Sequence, residues 1–63
     1  DAENVSGIAQ DYMAAANILA KKKPTSEELK QAVFYAERAA SIYRSAGMSQ
    51  KADDCIAWIT ENK

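Results

Sequence analysis

Alanines at helical spacing constrain the fold of this 63-residue chain more than any other feature of its sequence. In the middle of the chain, apolar residues recur every three or four positions, which is the period of one face of an α-helix. Because most of these side chains end at a methyl group, a neighbouring helix can approach near the lower end of the usual interaxial range of roughly 8–10 Å. The face comprises Leu29, Ala32, Val33, Ala36, Ala39, Ala40, Tyr43 and Ala46.

Two flanking segments show the same period, and neither shows the alternation typical of a strand. The first stripe contains Val5, Ile8, Ala9, Tyr12, Ala15, Ala16 and Leu19, and the last contains Ala52, Cys55, Ile56 and Ile59. Tyr35 and Ile42 widen the middle face to about half of the helix circumference. We predict three helices, over approximately residues 4–22, 26–46 and 49–61, with the second in the centre and Tyr12, Leu19, Leu29 and Tyr43 filling the gaps beside its alanines.

The helix ends are marked by residues with defined conformational preferences. Pro24 lacks an amide hydrogen and stops a preceding helix, and Thr25 with Glu28 forms the capping-box pattern of a new helix. Gly47 can adopt the left-handed conformation that ends a helix, and Ser49 can cap the next one. The short connections predict a single all-α domain over residues 1–63, an antiparallel three-helix bundle.

Charge and residue content argue against several classes of function. Eight Lys and Arg balance nine Asp and Glu, so the basic excess of a nucleic-acid-binding protein is missing. The sequence contains no histidine, catalytic triad, phosphate-binding loop or zinc spacing. We therefore expect no enzymatic activity, catalytic residue, cofactor or metal. The single cysteine cannot form an internal disulfide, and no apolar run reaches the roughly 20 residues of a membrane span, so we expect a cytoplasmic protein.

The residues at the margins of the apolar faces suggest a binding groove between the second and third helices. Trp58 would anchor a partner there, and Tyr35 with Ile42 would form the other wall, since interface contacts often centre on aromatic residues. Arg38 and Lys51 would line the rim and meet acidic groups. The alternatives are that Trp58 seals the edge of the bundle and that both cations are simply solvated.

Phe34 is unusual because it projects among the polar residues of the second helix. Ordinary surface apolarity, a docking surface and a contact within a larger helical array are all open explanations. An apolar face that has lost its neighbour would also promote self-association. Phe34 is accordingly the sixth predicted partner-binding residue.

The remaining charged residues have simpler interpretations. Asp53 and Asp54 are expected to complement the dipole at the start of the third helix, and Cys55 to be a core thiol. The three lysines at 21–23 match the negative end of the first helix. Their alternative role is a weak, peripheral contact with an acidic lipid surface.

Two family resemblances accompany these patterns. The order A-x-x-A-A-x-x-Y-x-x-x-G-x-x-x-x-A over residues 36–52 resembles the helix-turn-helix pattern of tetratricopeptide-like repeats, including SNAP-type arrays. The stretch "AVFYAERAASIY" at 32–43 is similar to the middle helix of microtubule interacting and trafficking (MIT) domains. The MIT resemblance implies a free-standing three-helix bundle that binds helical or extended tails of membrane-remodelling (ESCRT) proteins beside its third helix.

These observations favour a non-enzymatic protein–protein interaction module, an adaptor in membrane trafficking if the MIT resemblance holds. Its expected partner is a peptide or helical segment of another protein. The alternatives are a structural segment of a larger α-helical array, as the tetratricopeptide resemblance implies, and a weak acidic-lipid-surface module.

Overall fold

The computed structural model of the chain describes residues 2–21 and 23–62, with side chains from residue 5 onward. Three helices account for almost all of these residues: α1 spans Ala2–Lys21, α2 spans Ser26–Ser45 and α3 spans Ser49–Asn62. No strand occurs in the described ranges, and α2 packs against both α1 and α3. The all-α three-helix bundle expected from the sequence is thus confirmed.

The start of α2 is fixed by the capping box that the sequence predicts. The Thr25 N–H donates to Glu28 Oε1 at 3.0 Å, and the Glu28 N–H donates to Thr25 Oγ1 at 3.2 Å. Each bond satisfies an amide that has no acceptor within the helix. Glu27 and Glu28 also place negative charge in the first turn, where the helix dipole is positive.

The connection between α2 and α3 is a Schellman motif around Gly47, which has a positive φ of 77°. The Met48 N–H donates to the Tyr43 carbonyl at 2.8 Å, and the Gly47 N–H donates to the Arg44 carbonyl at 3.1 Å. Met48 then serves as the N-cap of α3, because its carbonyl accepts the first helical bond, from Ala52 at 3.1 Å. The prediction that Ser49 caps α3 is therefore wrong: Ser49 is the first helical residue.

The core is built mainly from methyl groups. Seven of its ten buried residues are alanines, so the helices meet almost backbone to backbone. One cluster joins all three helices near the α2–α3 turn through Ala9, Ala39, Ala40, Tyr43, Ala52 and Cys55. A second cluster lies towards the other end and comprises Ala16, Ala32, Ala36 and Ile59.

Larger side chains fill the margins of these clusters, largely as the sequence predicts. Tyr12 and Leu19 pack against the core, and Tyr43 belongs to it. Three positions differ from expectation. Ile8, predicted in the apolar stripe of α1, is 50% exposed because α1 meets the bundle through Ala9 and Ala16. Ile56 is 41% exposed because α3 faces the bundle through the narrower stripe of Ala52, Cys55 and Ile59. Leu29 is only partly buried and lies on an open surface of α2.

The unequal lengths of α2 and α3 leave part of α2 uncovered. The helices contain 20 and 14 residues, so α3 is shorter by roughly 9 Å at about 1.5 Å per residue. Ile59, close to the end of α3, packs with Ala32 and Ala36. The first turn of α2 therefore extends beyond the level at which α3 covers it. None of the helices described is both long and apolar enough to traverse a membrane.

Close packing of α2 predicts that Ala36→Leu destabilises the fold. Ala36 is fully buried between helices, so the added atoms force the helices apart at a cost of about 1–3 kcal/mol in the free energy of unfolding. Urea denaturation followed by circular dichroism measures this change. The matched control is Ala57→Leu on the exposed face of α3, and an equal effect of the two substitutions would contradict close packing as the cause.

The capping box predicts a separate, smaller effect at the start of α2. Thr25→Ala removes the hydroxyl acceptor of the Glu28 amide and should lower the free energy of unfolding by about 1 kcal/mol. Ser26→Ala changes the neighbouring exposed hydroxyl, which lies one position inside the helix. If this control variant lost as much stability as Thr25→Ala, the capping box would not be the stabilising element.

Candidate functional site

The six predicted partner-binding residues lie on separate surfaces of the bundle. Lys51 and Trp58 line a small pocket of about 280 Å³. Residues from all three helices form its walls, namely Met13, Tyr43, Lys51, Asp54, Cys55 and Trp58. Tyr35, Arg38 and Ile42 are not among these lining residues, so the structure does not assemble the single groove predicted from the sequence.

Trp58 joins α3 to α1. Its indole N–H donates to Asn17 Oδ1 at 2.9 Å, and its ring packs against the cluster that contains Ala36 and Ile59. Since a buried indole costs free energy unless its N–H finds an acceptor, this bond allows the large ring to close the edge of the core. Trp58 is half-buried in this arrangement, as the edge-sealing alternative describes.

Tyr35 lies against α1, which corrects its predicted place in a wall beside α3. Its ring stacks on Tyr12 with the centroids 5.8 Å apart and the planes inclined by 29°. Ile42 follows seven residues later, which places it on the same side of α2. The width of the apolar face of α2 was correctly predicted, but its Tyr35 margin faces the other neighbour.

Phe34 and Arg38 form a cation–π pair on the outer surface of α2. The Arg38 guanidinium carbon lies 5.3 Å from the centroid of the Phe34 ring, and Phe34 meets Tyr35 edge to face at 6.2 Å. Phe34 remains 52% exposed despite these contacts. The Phe34 ring is therefore held in place by Arg38 and Tyr35, while much of its surface stays open to solvent.

A groove runs along the N-terminal half of α2 beside Phe34. It has a volume of about 590 Å³ and lies between two ridges whose members are spaced four residues apart. The first ridge is Ser26–Lys30–Phe34 and the second is Leu29–Val33–Glu37. We call this surface the α2 groove. Such a channel between two i, i+4 ridges is the shape into which the ridge of a second helix packs.

Both ridges of the α2 groove combine apolar and charged side chains. Leu29, Val33 and Phe34 supply the apolar surface, while Lys30 and Glu37 place opposite charges on opposite ridges. Only the start of the groove, at Ser26 and Leu29, lies beyond the level at which Ile59 of α3 packs on Ala32 and Ala36. The sequence predicts both Leu29 and Val33 on the buried face. Val33 packs against the cluster of Ala32, Ala36 and Ile59, whereas Leu29 lies open at the start of α2, which the shorter third apolar stripe could have signalled.

Cys55 and Tyr43 line the small pocket, and the pKa of each is raised above its ordinary value. Burial raises the pKa of the Cys55 thiol, the negative charge of Asp54 raises it further, and Lys51 partly offsets this. Burial also raises the pKa of Tyr43, with a smaller contribution from Cys55. A raised pKa lowers the thiolate fraction at neutral pH, so Cys55 has the properties of a core thiol and not of a nucleophile.

The acidic pair Asp53–Asp54 lies in the second turn of α3, not in the first. The prediction that these two aspartates complement the dipole at the start of α3 is therefore wrong, because the effect of the dipole falls off within the first turn. Asp54 instead lines the pocket beside Cys55. Across the described residues there is no cluster of three or more side chains suited to binding a metal ion. Lys21 and Lys23 are exposed, whereas Lys22 lies outside the described residues.

Comparisons of the chain with protein-family models, with curated proteins and with solved structures each return no match. The resemblances to tetratricopeptide-like and MIT-like helices stay predictions from the sequence. The α2 groove is consequently assessed on its geometry alone.

The raised pKa of Cys55 predicts a loss of stability at alkaline pH. The unfolded chain releases the thiol proton at lower pH than the folded chain does. The associated stabilisation is fully present below about pH 8.5, the ordinary pKa of the thiol, and is lost as the pH rises through the folded-state pKa. Urea denaturation at neutral pH and at about pH 10 should show a smaller alkaline loss for Cys55→Ala than for the wild type.

The control for this measurement is Tyr43→Phe. It removes the other group whose pKa is raised and leaves the thiol in place, so its alkaline loss should retain the Cys55 contribution. Identical alkaline losses in Cys55→Ala and the wild type would contradict the assignment.

Proposed function

We propose that this chain is a non-enzymatic protein-interaction module that binds a helical segment of a partner protein in the α2 groove. The observation that carries the proposal is the apolar channel between the two ridges of α2, of which Phe34 is the most prominent wall. Aromatic and arginine side chains are enriched at protein interfaces, and here Arg38 holds the Phe34 ring.

Shape and charge together define the partner. A helix that fits the channel needs an apolar ridge of residues three or four apart, which is the pattern of an amphipathic helix. Lys30 on one ridge favours an acidic residue at the facing position, and Glu37 on the other favours a basic one. Because the two charges lie on opposite ridges and at different heights, they favour one orientation of the bound helix.

A more specific version of this proposal is that the partner is a protein of membrane trafficking. It is supported by the similarity of residues 32–43 to the middle helix of MIT domains. The α2 groove itself requires only an amphipathic helix.

Photo-crosslinking from position 34 tests the proposal and identifies the partner segment. Phe34 is replaced by p-benzoylphenylalanine in cells that express the chain, and the crosslinked peptide is identified by mass spectrometry. The same replacement at Ala57, exposed on α3, is the matched control. A synthetic peptide of the captured segment is then titrated into the isotope-labelled chain. We expect amide shifts around Leu29, Val33 and Phe34.

Substitution of Phe34 gives the quantitative prediction. Phe34→Ala should weaken binding of that peptide by more than about 1 kcal/mol, or roughly fivefold, while the circular dichroism spectrum stays that of the folded chain. Equal crosslinking from positions 34 and 57, or shifts centred on Met13, Lys51 and Trp58, would contradict the α2 groove as the site.

A further inference from the structure

Four residues at the centre of the α2 groove are placed symmetrically about one point. Lys30 and Phe34 belong to one ridge, and Val33 and Glu37 belong to the other. The point midway between Val33 and Phe34 in the sequence is also midway between Lys30 and Glu37. An apolar pair is therefore flanked by an exposed cation on one side and an exposed carboxylate on the other. The two charged positions lie about 10 Å apart along the helix, at about 1.5 Å per residue.

This arrangement is complementary to a second copy of itself. When α2 of another copy lies antiparallel in the groove, with Val33 of each copy opposite Phe34 of the other, Lys30 of each copy faces Glu37 of the other. Both ion pairs form together because the contact is isologous. In a parallel pair Lys30 would face Lys30 and Glu37 would face Glu37, and like charges disfavour that arrangement.

The ends of α2 favour the same orientation. Its first turn carries Glu27 and Glu28, and its last turn carries Arg44. An antiparallel pair turns the acidic end of each α2 towards the basic end of the other, and it also sets the two helix dipoles in opposite directions. The whole chain has a formal charge of only −1, so two copies repel each other weakly.

The shape of α2 also meets the requirement for an occupant of its own groove. Leu29 and Val33 form an apolar ridge with i, i+4 spacing, and ridges of this kind pack into each other's grooves where two helices meet. The contact would cover the Phe34 ring, which is 52% exposed in the monomer. Because the contact is one helix wide, its total buried area falls below about 1,200 Å², which is the range of weak and transient interfaces.

From these observations we infer that the helix bound in the α2 groove is α2 of a second copy of the chain. The chain then forms an antiparallel homodimer whose population rises with concentration. This inference rests on the proposed function, because it names the occupant of the groove that the proposed function describes.

Charge reversal tests the pairing in the full chain. Sedimentation equilibrium should show an apparent mass that rises from 6.9 kDa towards twice that value as the concentration increases. Lys30→Glu sets carboxylates opposite each other, and Glu37→Lys sets ammonium groups opposite each other. Each substitution should weaken association by at least about tenfold. Each should leave the circular dichroism spectrum unchanged because both side chains are exposed, and Asp11→Lys on the exposed surface of α1 is the control that should associate like the wild type.

The double variant Lys30→Glu/Glu37→Lys tests the orientation. It exchanges the two charges, so antiparallel copies again set opposite charges against each other, and association should return to the wild-type strength. In a parallel pair like charges face each other before and after every substitution. Single reversals would then change little, and the double variant would have nothing to restore.

A chain that stays at 6.9 kDa at every concentration would overturn the inference. Single reversals that associate like the wild type would also overturn it, as would a double variant that associates as weakly as the single ones. If the chain stays monomeric while position 34 crosslinks to a different protein, this inference fails and the α2 groove remains the binding site. Equal crosslinking from positions 34 and 57 would overturn the groove and this inference together.

Discussion

The close approach of α2 to its two neighbours is the contact on which the rest of the structure depends. Ala32, Ala36 and Ala39 are fully buried and offer only methyl groups to the facing helices. Small side chains bring many backbone atoms into van der Waals contact, and this compensates for the small apolar area that a 63-residue chain can bury. Larger residues such as Tyr12 and Trp58 are consequently displaced to the margins, where they are half-exposed.

This displacement explains why most aromatic residues lie at the margins of the core and not inside it. A core as narrow as this one has room for the Tyr43 ring near the α2–α3 turn, while Tyr12, Phe34 and Tyr35 meet one another outside it. The same narrowness lets a 14-residue α3 dock through three small or medium side chains. The outer ridges of the N-terminal half of α2 stay open to solvent and form the α2 groove.

The helices and their ends could be predicted from the sequence because the signals there are local. Thr25 with Glu28 and the glycine at 47 act within a few residues, and helical periodicity needs no knowledge of neighbours. The location of the candidate site could not be predicted in the same way. Periodicity gives the width of the α2 face, but it does not say which neighbour lies at which margin, and Tyr35 was therefore assigned to the wrong side. The exposure of Leu29 at the start of α2 depends on how far α3 reaches along α2.

The bond between Trp58 and Asn17 makes the only tryptophan of the chain an intrinsic reporter of tertiary structure. The indole lies between the first and last helices and is partly buried, so any departure of α3 exposes it further to water. Its emission maximum therefore reports separation of these two helices, whereas far-ultraviolet circular dichroism reports only whether they remain helical. Divergence of the two signals during denaturation would reveal a state with intact helices that have come apart.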